Sequence, residues 1–175
     1  MPAAKNTKRI TISAILAVIA VISLFFATIL PTNRLTFYAL SSFFISVIII
    51  EFDMKSSLVF YVITNLLAYI IVPDKISVIP YTVFFGVYGI IKYYIEGINK
   101  ILPEYILKML FFNTCLGLAF ILFRETIFIN WDTANLKIPL GVVVIILELA
   151  FILYDYVYTL IIQYYKNRLR RYLKL

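Results

Sequence analysis

The sequence predicts an all-α fold: an integral membrane bundle of six transmembrane helices with both termini on the cytoplasmic side. Three observations lead there. Apolar and aromatic residues fill 63% of the 175 positions and charged residues only 14%, against about a quarter charged in a soluble domain. The apolar residues gather into six runs separated by Pro, Asn, Asp and Lys, and roughly 20 such residues cross the hydrocarbon core. The basic excess, a net charge of +7, lies between the runs and at the two ends. It therefore orients the chain in a bilayer and does not form a nucleic-acid surface.

The first span, 10–30, follows Lys5, Lys8 and Arg9. It is longer than a signal-peptide core and lacks a small-residue cleavage site, so it is expected to stay in the mature chain. Ser13, Ala14, Ala17 and Ala20 put small side chains along one side of it, and small residues four apart, such as Ser13 and Ala17, let helices approach closely. That stripe suits docking against another membrane subunit, or packing against the protein's own helices. Pro31-Thr32-Asn33 ends the span. The second span, 35–52, stops at Asp53-Met54-Lys55, and the third, 57–72, at Pro73-Asp74-Lys75; these two are the shortest. The fourth covers 79–97 and is followed by a break from Asn99 to Pro103; the fifth covers 104–124. The sixth, 138–164, runs into "YYKNRLRRYLKL", whose tyrosines suit the interface and whose basic residues suit an anionic leaflet. That tail serves as an anchor and topology signal or as a partner-binding surface. Together the spans make one transmembrane domain over 1–175.

Six spans put both ends on one side, and the positive-inside rule chooses which. Lys5, Lys8, Arg9, Lys55, Lys92, Lys100, Lys108, Lys166, Arg168, Arg170, Arg171 and Lys174 fall on or near the side of the termini. Arg34, Lys75, Arg124 and Lys137 fall on the other. Twelve against four places the termini in the cytoplasm of a multi-pass cell-membrane protein. The outer loops are "PTNR", "VPDKISVIP" and "FRETIFINWDTANLKIP". The last mixes Arg124, Glu125, Trp131 and Asp132, as a lid over a binding pocket would; an ordinary interfacial tryptophan is the other use of Trp131.

Polar groups inside spans are functional candidates, because lipid offers them no partner. Asn65, Asn113 and Glu148 fall near the middles of the third, fifth and sixth spans, at depths where they can meet. Asparagines in such positions also simply hold helices together. Asp155 lies seven residues beyond Glu148, about 10 Å nearer the cytoplasm, at a depth where Lys92 can pair with it. Glu148 has no evident cation and stays a ligand or proton candidate.

Several chemistries are excluded. Histidine is absent, which removes the commonest general base and transition-metal ligand. Cys115 is the only cysteine, so no disulfide framework or cysteine-rich metal site forms within one chain. No paired-Glu, Gly-x-Ser-Gly or metal-ligand motif accompanies Glu96, Glu148, Asp155 and Lys92. The chain is expected to be no enzyme and to carry no metal or cofactor. Neither an internal repeat nor matched broken helices point to an inverted-repeat transporter.

In architecture the whole chain resembles the substrate-binding S components of energy-coupling factor (ECF) transporters. The resemblance lies in six spans in under 180 residues, the small-residue stripe on the first helix, "LPTNRLTFYALSSFFISVIIIEF" at 30–52, and the charged, aromatic loop before the last span. The family's first helix often carries alanines four apart, which bind the shared scaffold subunit; Ser13 stands here in place of the first. The resemblance implies capture of a small organic, vitamin-like ligand from outside and toppling in the membrane to release it. A membrane scaffold subunit and two cytoplasmic ATPases would supply the energy, since no phosphate-binding GxxxxGK[ST] loop is present. It implies a pocket in the outer half, for which Asn33, Arg34, Tyr81, Arg124, Trp131 and Asp132 are the candidates, with Glu148 deeper. The missing histidine argues against the nickel and cobalt members. The rival expectation is a structural or scaffolding subunit of a cell-envelope membrane complex, which needs no outward pocket.

Overall fold

A computed structural model describes the backbone of residues 2–133 and 139–170, and the side chains of residues 7–123, 139 and 141–170. Every element among the described residues is helical, and six stretches are long and apolar enough to cross a membrane. The protein is thus all-α, with the composition of a multi-pass membrane protein.

Helix α1 spans Pro2–Ile29. It stops because Leu30 precedes a proline, whose ring disfavours helical backbone in the residue before it; Pro31–Asn33 then form a single 3₁₀ turn into α2, Arg34–Glu51. Asp53 adopts extended backbone and its carboxylate accepts the Ser56 N–H at 2.7 Å. This is an N-cap, and it starts α3 at Met54, three residues before the expected span; α3 runs to Ile71. Val72 is extended ahead of Pro73, and the Lys75 ammonium donates to the Val72 carbonyl at 2.7 Å, where a cation suits the negative end of the helix.

The fourth span, Ile76–Glu96, changes pitch along its length. After a 3₁₀ turn at Ile76–Val78 it widens into a π turn at Tyr81–Phe85, in which the Gly86 N–H reaches the Tyr81 carbonyl, and continues as α4, Gly86–Glu96. Asn99 closes it in the left-handed region at φ 54°, a conformation asparagine tolerates better than most residues. Helix α5 spans Ile101–Thr133 and α6 spans Leu140–Tyr164, followed by a second π turn at Tyr165–Leu169. Helix α5 thus passes through the start of the expected outer loop. Between Phe123 and Thr133 the sequence has no glycine or proline, so nothing there breaks the hydrogen-bond ladder.

The chain forms two compact units, Met1–Tyr94 with Ile162–Leu175, and Ile95–Ile161. In the first, α1 packs on both α2 and α3, and α2 packs on α3 and the π turn. Its core includes Ala20, Leu24 and Ala27 of α1, Ile45 and Ile48 of α2, Ala68 of α3 and Tyr88 of α4. The three alanines bring backbones close where lipid supplies no hydrophobic drive and dispersion must hold helices together. The end of the chain joins this unit: Glu51 receives the Tyr165 hydroxyl at 3.3 Å and the Arg170 guanidinium at 3.1 Å. In the second unit α5 and α6 form an antiparallel pair. Lys108 meets Asp155, Phe112 stacks on Phe151 at 4.4 Å, and Asn113 meets Glu148, so contacts ascend one helix as they descend the other.

Candidate functional site

The first unit holds a polar seam that begins at the loops 30–34 and 72–78 and follows the π turn inward. Asp74 opens it with a local turn, accepting the Ile76 N–H at 3.1 Å and the Ser77 hydroxyl. These bonds, the Ser77 hydroxyl first, and the positive field of Arg34 hold its carboxyl below the usual carboxylate range. Arg34, the exposed first residue of α2, also acts electrostatically on Tyr38, one turn along. The Tyr38 hydroxyl donates to the Ser77 carbonyl at 2.5 Å, and its ring stacks on Phe85 at 5.3 Å. Arg34, Tyr38, Asp74 and Ser77 therefore form one cluster, with Tyr81 opening the π turn just beyond.

A π turn leaves carbonyls poorly served by the helix itself, and such turns are frequent at functional sites. Here α2 and α3 serve them. The Ser42 hydroxyl donates to the Phe85 carbonyl at 2.5 Å and the Tyr61 hydroxyl to the Thr82 carbonyl at 2.8 Å. The Thr82 hydroxyl donates to Asn65 Oδ1 at 2.6 Å, while Asn65 Nδ2 donates to the Tyr61 carbonyl at 2.9 Å. Gly86 makes room for this arrangement: a Cβ there would lie 2.8 Å from Tyr61 Cε2 and 2.9 Å from the Tyr81 carbonyl oxygen. Two further hydroxyls on the same helices, Ser41 Oγ of α2 and Thr64 Oγ1 of α3, are wholly buried with no protein partner among the described residues. Each such orphan costs about 1–3 kcal/mol.

The expected ligand residues are distributed as follows. Asn33 ends the 3₁₀ turn and is exposed, Arg34 belongs to the loop cluster, and Tyr81 is fully buried in the π turn. Arg124, Trp131 and Asp132 fall on the last turns of α5, and their side chains lie outside the described residues. Glu148 belongs to the second unit, where its carboxylate accepts from Asn113 Nδ2 at 3.2 Å. Asn65, expected beside those two, is bound within the seam. Ser42, Tyr61 and Thr82 went unnoticed in the sequence because hydroxyl-bearing residues are common in spans. Proline at position 80 ahead of an aromatic run and a glycine was the available signal for a change in helix pitch.

The second unit has its own polar centre. Lys108 Nζ donates to Glu96 Oε1 at 2.9 Å and to Asp155 Oδ2 at 2.9 Å. Lys92, the expected partner of Asp155, lies in the first unit with its ammonium 5.9 Å from the Tyr88 ring. Within its own unit Asp155 meets a second cation, Lys108, which the sequence reading did not pair with it. Depth arithmetic finds it: Lys108 is seven residues into α5 and Asp155 nine from the end of α6, so an antiparallel pair brings them level.

The stripe on α1 divides between two environments. Ala20 is buried in the core, Ala17 is buried at the floor of a groove of about 460 Å³ between α1 and α3, and Ser13 and Ala14 line that groove. No family model, curated protein or solved structure matches the chain.

Proposed function

We propose that the chain is the membrane-embedded binding subunit of an ECF-type ATP-driven importer, capturing a small organic, vitamin-like ligand from outside. Its termini face the cytoplasm, where the scaffold subunit and ATPases engage it, and the loops 30–34 and 72–78 face outward. The observation that carries this proposal is the pair of orphan hydroxyls, Ser41 and Thr64, buried on the two helices that form the seam. A bundle in lipid gains nothing from unpartnered hydroxyls, whereas a binding subunit uses convergent polar groups within an apolar site to orient its ligand. The charged cluster of Arg34 and Asp74 at the outer end gives such a ligand a polar entrance.

The test is mass spectrometry of small molecules released by denaturing the detergent-purified protein, before and after incubation with a vitamin pool. Ser41→Ala/Thr64→Val removes both hydroxyls at nearly constant volume. A stoichiometric organic compound present in the wild type and lost from the variant supports the proposal. No compound in either, with both proteins folded, overturns it.

A second possibility, a structural subunit of a cell-envelope complex, draws on a different observation. The π-turn carbonyls of Thr82 and Phe85 are taken by the protein's own Tyr61 and Ser42, which locks that part of the seam as a packing device. Co-purification of a stoichiometric membrane partner with no bound compound would favour it.

A further inference from the structure

We infer that the groove between α1 and α3 holds one anionic phospholipid, with its phosphate at Lys55 and one acyl chain lying along the groove. The groove has a polar end and an apolar length. Arg9, Lys55 and Ser56 line the polar end, within the first three residues of the two spans that begin at Thr7 and Met54, where headgroups lie. Val59, Ile63 and Leu67 of α3 wall the rest, and Ser13, Ala14 and Ala17 of α1 form its floor. Small floor residues keep the groove open; larger ones would fill it.

Charge selects the headgroup. Arg9 is bonded to Asp53 at 2.6 Å, so these two cancel, and its guanidinium lies 5.7 Å from the Phe52 ring. Lys55 is exposed and makes no ion pair among the described residues. One net positive charge therefore stands at the mouth of an apolar groove, beside the positive end of the α3 dipole. An anionic phosphate at the leaflet surface complements it, and each basic residue there strengthens binding to anionic lipid.

Size selects the body. From Lys55 to Leu67 the groove follows α3 for about 18 Å. It offers about 460 Å³ over that length, and an acyl chain, slender and flexible, suits a long apolar groove of that kind.

The test is native mass spectrometry of the full chain, exchanged into mixed micelles holding equal phosphatidylglycerol and phosphatidylcholine. Wild-type protein should retain one phosphatidylglycerol in preference to phosphatidylcholine. Lys55→Gln should weaken that retention about fivefold, the effect of one basic residue near an anionic surface. Ala14→Leu, which fills the groove from an exposed position, should lower retention of both lipids. Lys100→Gln, a basic residue that does not line the groove, should leave retention unchanged. Equal retention of the two lipids by wild type, or wild-type retention by either Lys55→Gln or a folded Ala14→Leu, overturns the inference. If Ala14→Leu does not fold, Lys55→Gln decides alone. Displacement of phosphatidylglycerol by inorganic phosphate would reduce the site to a phosphate site and overturn it as well. So would a dimer that Ala14→Leu abolishes and phosphatidylglycerol leaves untouched, because a second copy would then cover the groove.

Discussion

Lys108 is 8% exposed at its side chain and bonds to both Glu96 and Asp155, so its single positive charge offsets part of the charge of the two carboxylates. Removing one partner of a buried ion pair is far more harmful than replacing the whole set, and typically costs about 3–5 kcal/mol. Lys108→Met should therefore lower the Tm in detergent markedly. Lys108→Met/Glu96→Gln/Asp155→Leu should recover most of the loss, and equal Tm values for the two variants would refute this account of the cluster. Asp53 and Asp74 act outside the spans. The Ser56 N–H holds the Asp53 carboxyl below its ordinary value, with Arg9 adding to the effect, and the Ser77 hydroxyl does so for Asp74. A carboxyl lowered by folding contributes stability above its unfolded pKa, about 4, and loses it as pH falls through the lower folded value. The fall in Tm between about pH 5 and about pH 2 should be shallower in Asp53→Asn/Asp74→Asn than in the wild type; identical slopes would exclude these two groups as its source.

Among the elements, the fourth span departs most from regular helix. Gly86→Ala gains about 1 kcal/mol of helix propensity, yet its Cβ meets the Tyr81 carbonyl oxygen at 2.9 Å as well as the Tyr61 ring. A ring can tilt away, but a backbone oxygen in a hydrogen-bonded turn cannot move cheaply, and overpacking typically costs about 1–3 kcal/mol. Gly86→Ala should lower thermal stability in detergent, and Tyr61→Ala in the same chain should relieve only the ring contact. A Gly86→Ala protein more stable than wild type would show that the π turn relaxes to α-helix without penalty. Element boundaries were legible where proline stood next to them, at Leu30 and at Val72. They were less so at Asp53, where the cap advances α3 to Met54. At the end of α5 polarity alone suggested a loop, and in the absence of glycine or proline the helix continues to Thr133.

At the scale of the whole molecule, the orientation proposed from the basic residues, with the termini in the cytoplasm, is tested by accessibility. In a Cys115→Ala background, Lys75→Cys should react with a membrane-impermeant thiol reagent in intact cells, whereas Lys100→Cys should react only after permeabilisation. The opposite pattern would invert the proposed orientation and put the Lys55 groove in the outer leaflet. Cys115 has to be removed only as a precaution, since it is buried within the fifth span. If the chain is a binding subunit, the same experiment with ligand present should protect a cysteine near the cluster of Arg34 and Asp74 and leave one at position 100 unaffected.

The sequence by itself determined the helical class, the six spans and the intramembrane polar residues that need partners, because hydropathy and helix length are local quantities fixed by the bilayer's thickness. It also brought Asn113 and Glu148 to the same depth. Only the tertiary structure decided the pairings: Lys108 with Asp155 and Glu96, Asn65 with Thr82, and the separation of Ala20 in the core from Ser13 and Ala14 in a groove. Those depend on the rotation of each helix about its axis and on which helix lies beside it. Packing between faces sets both, and a hydropathy pattern does not encode them.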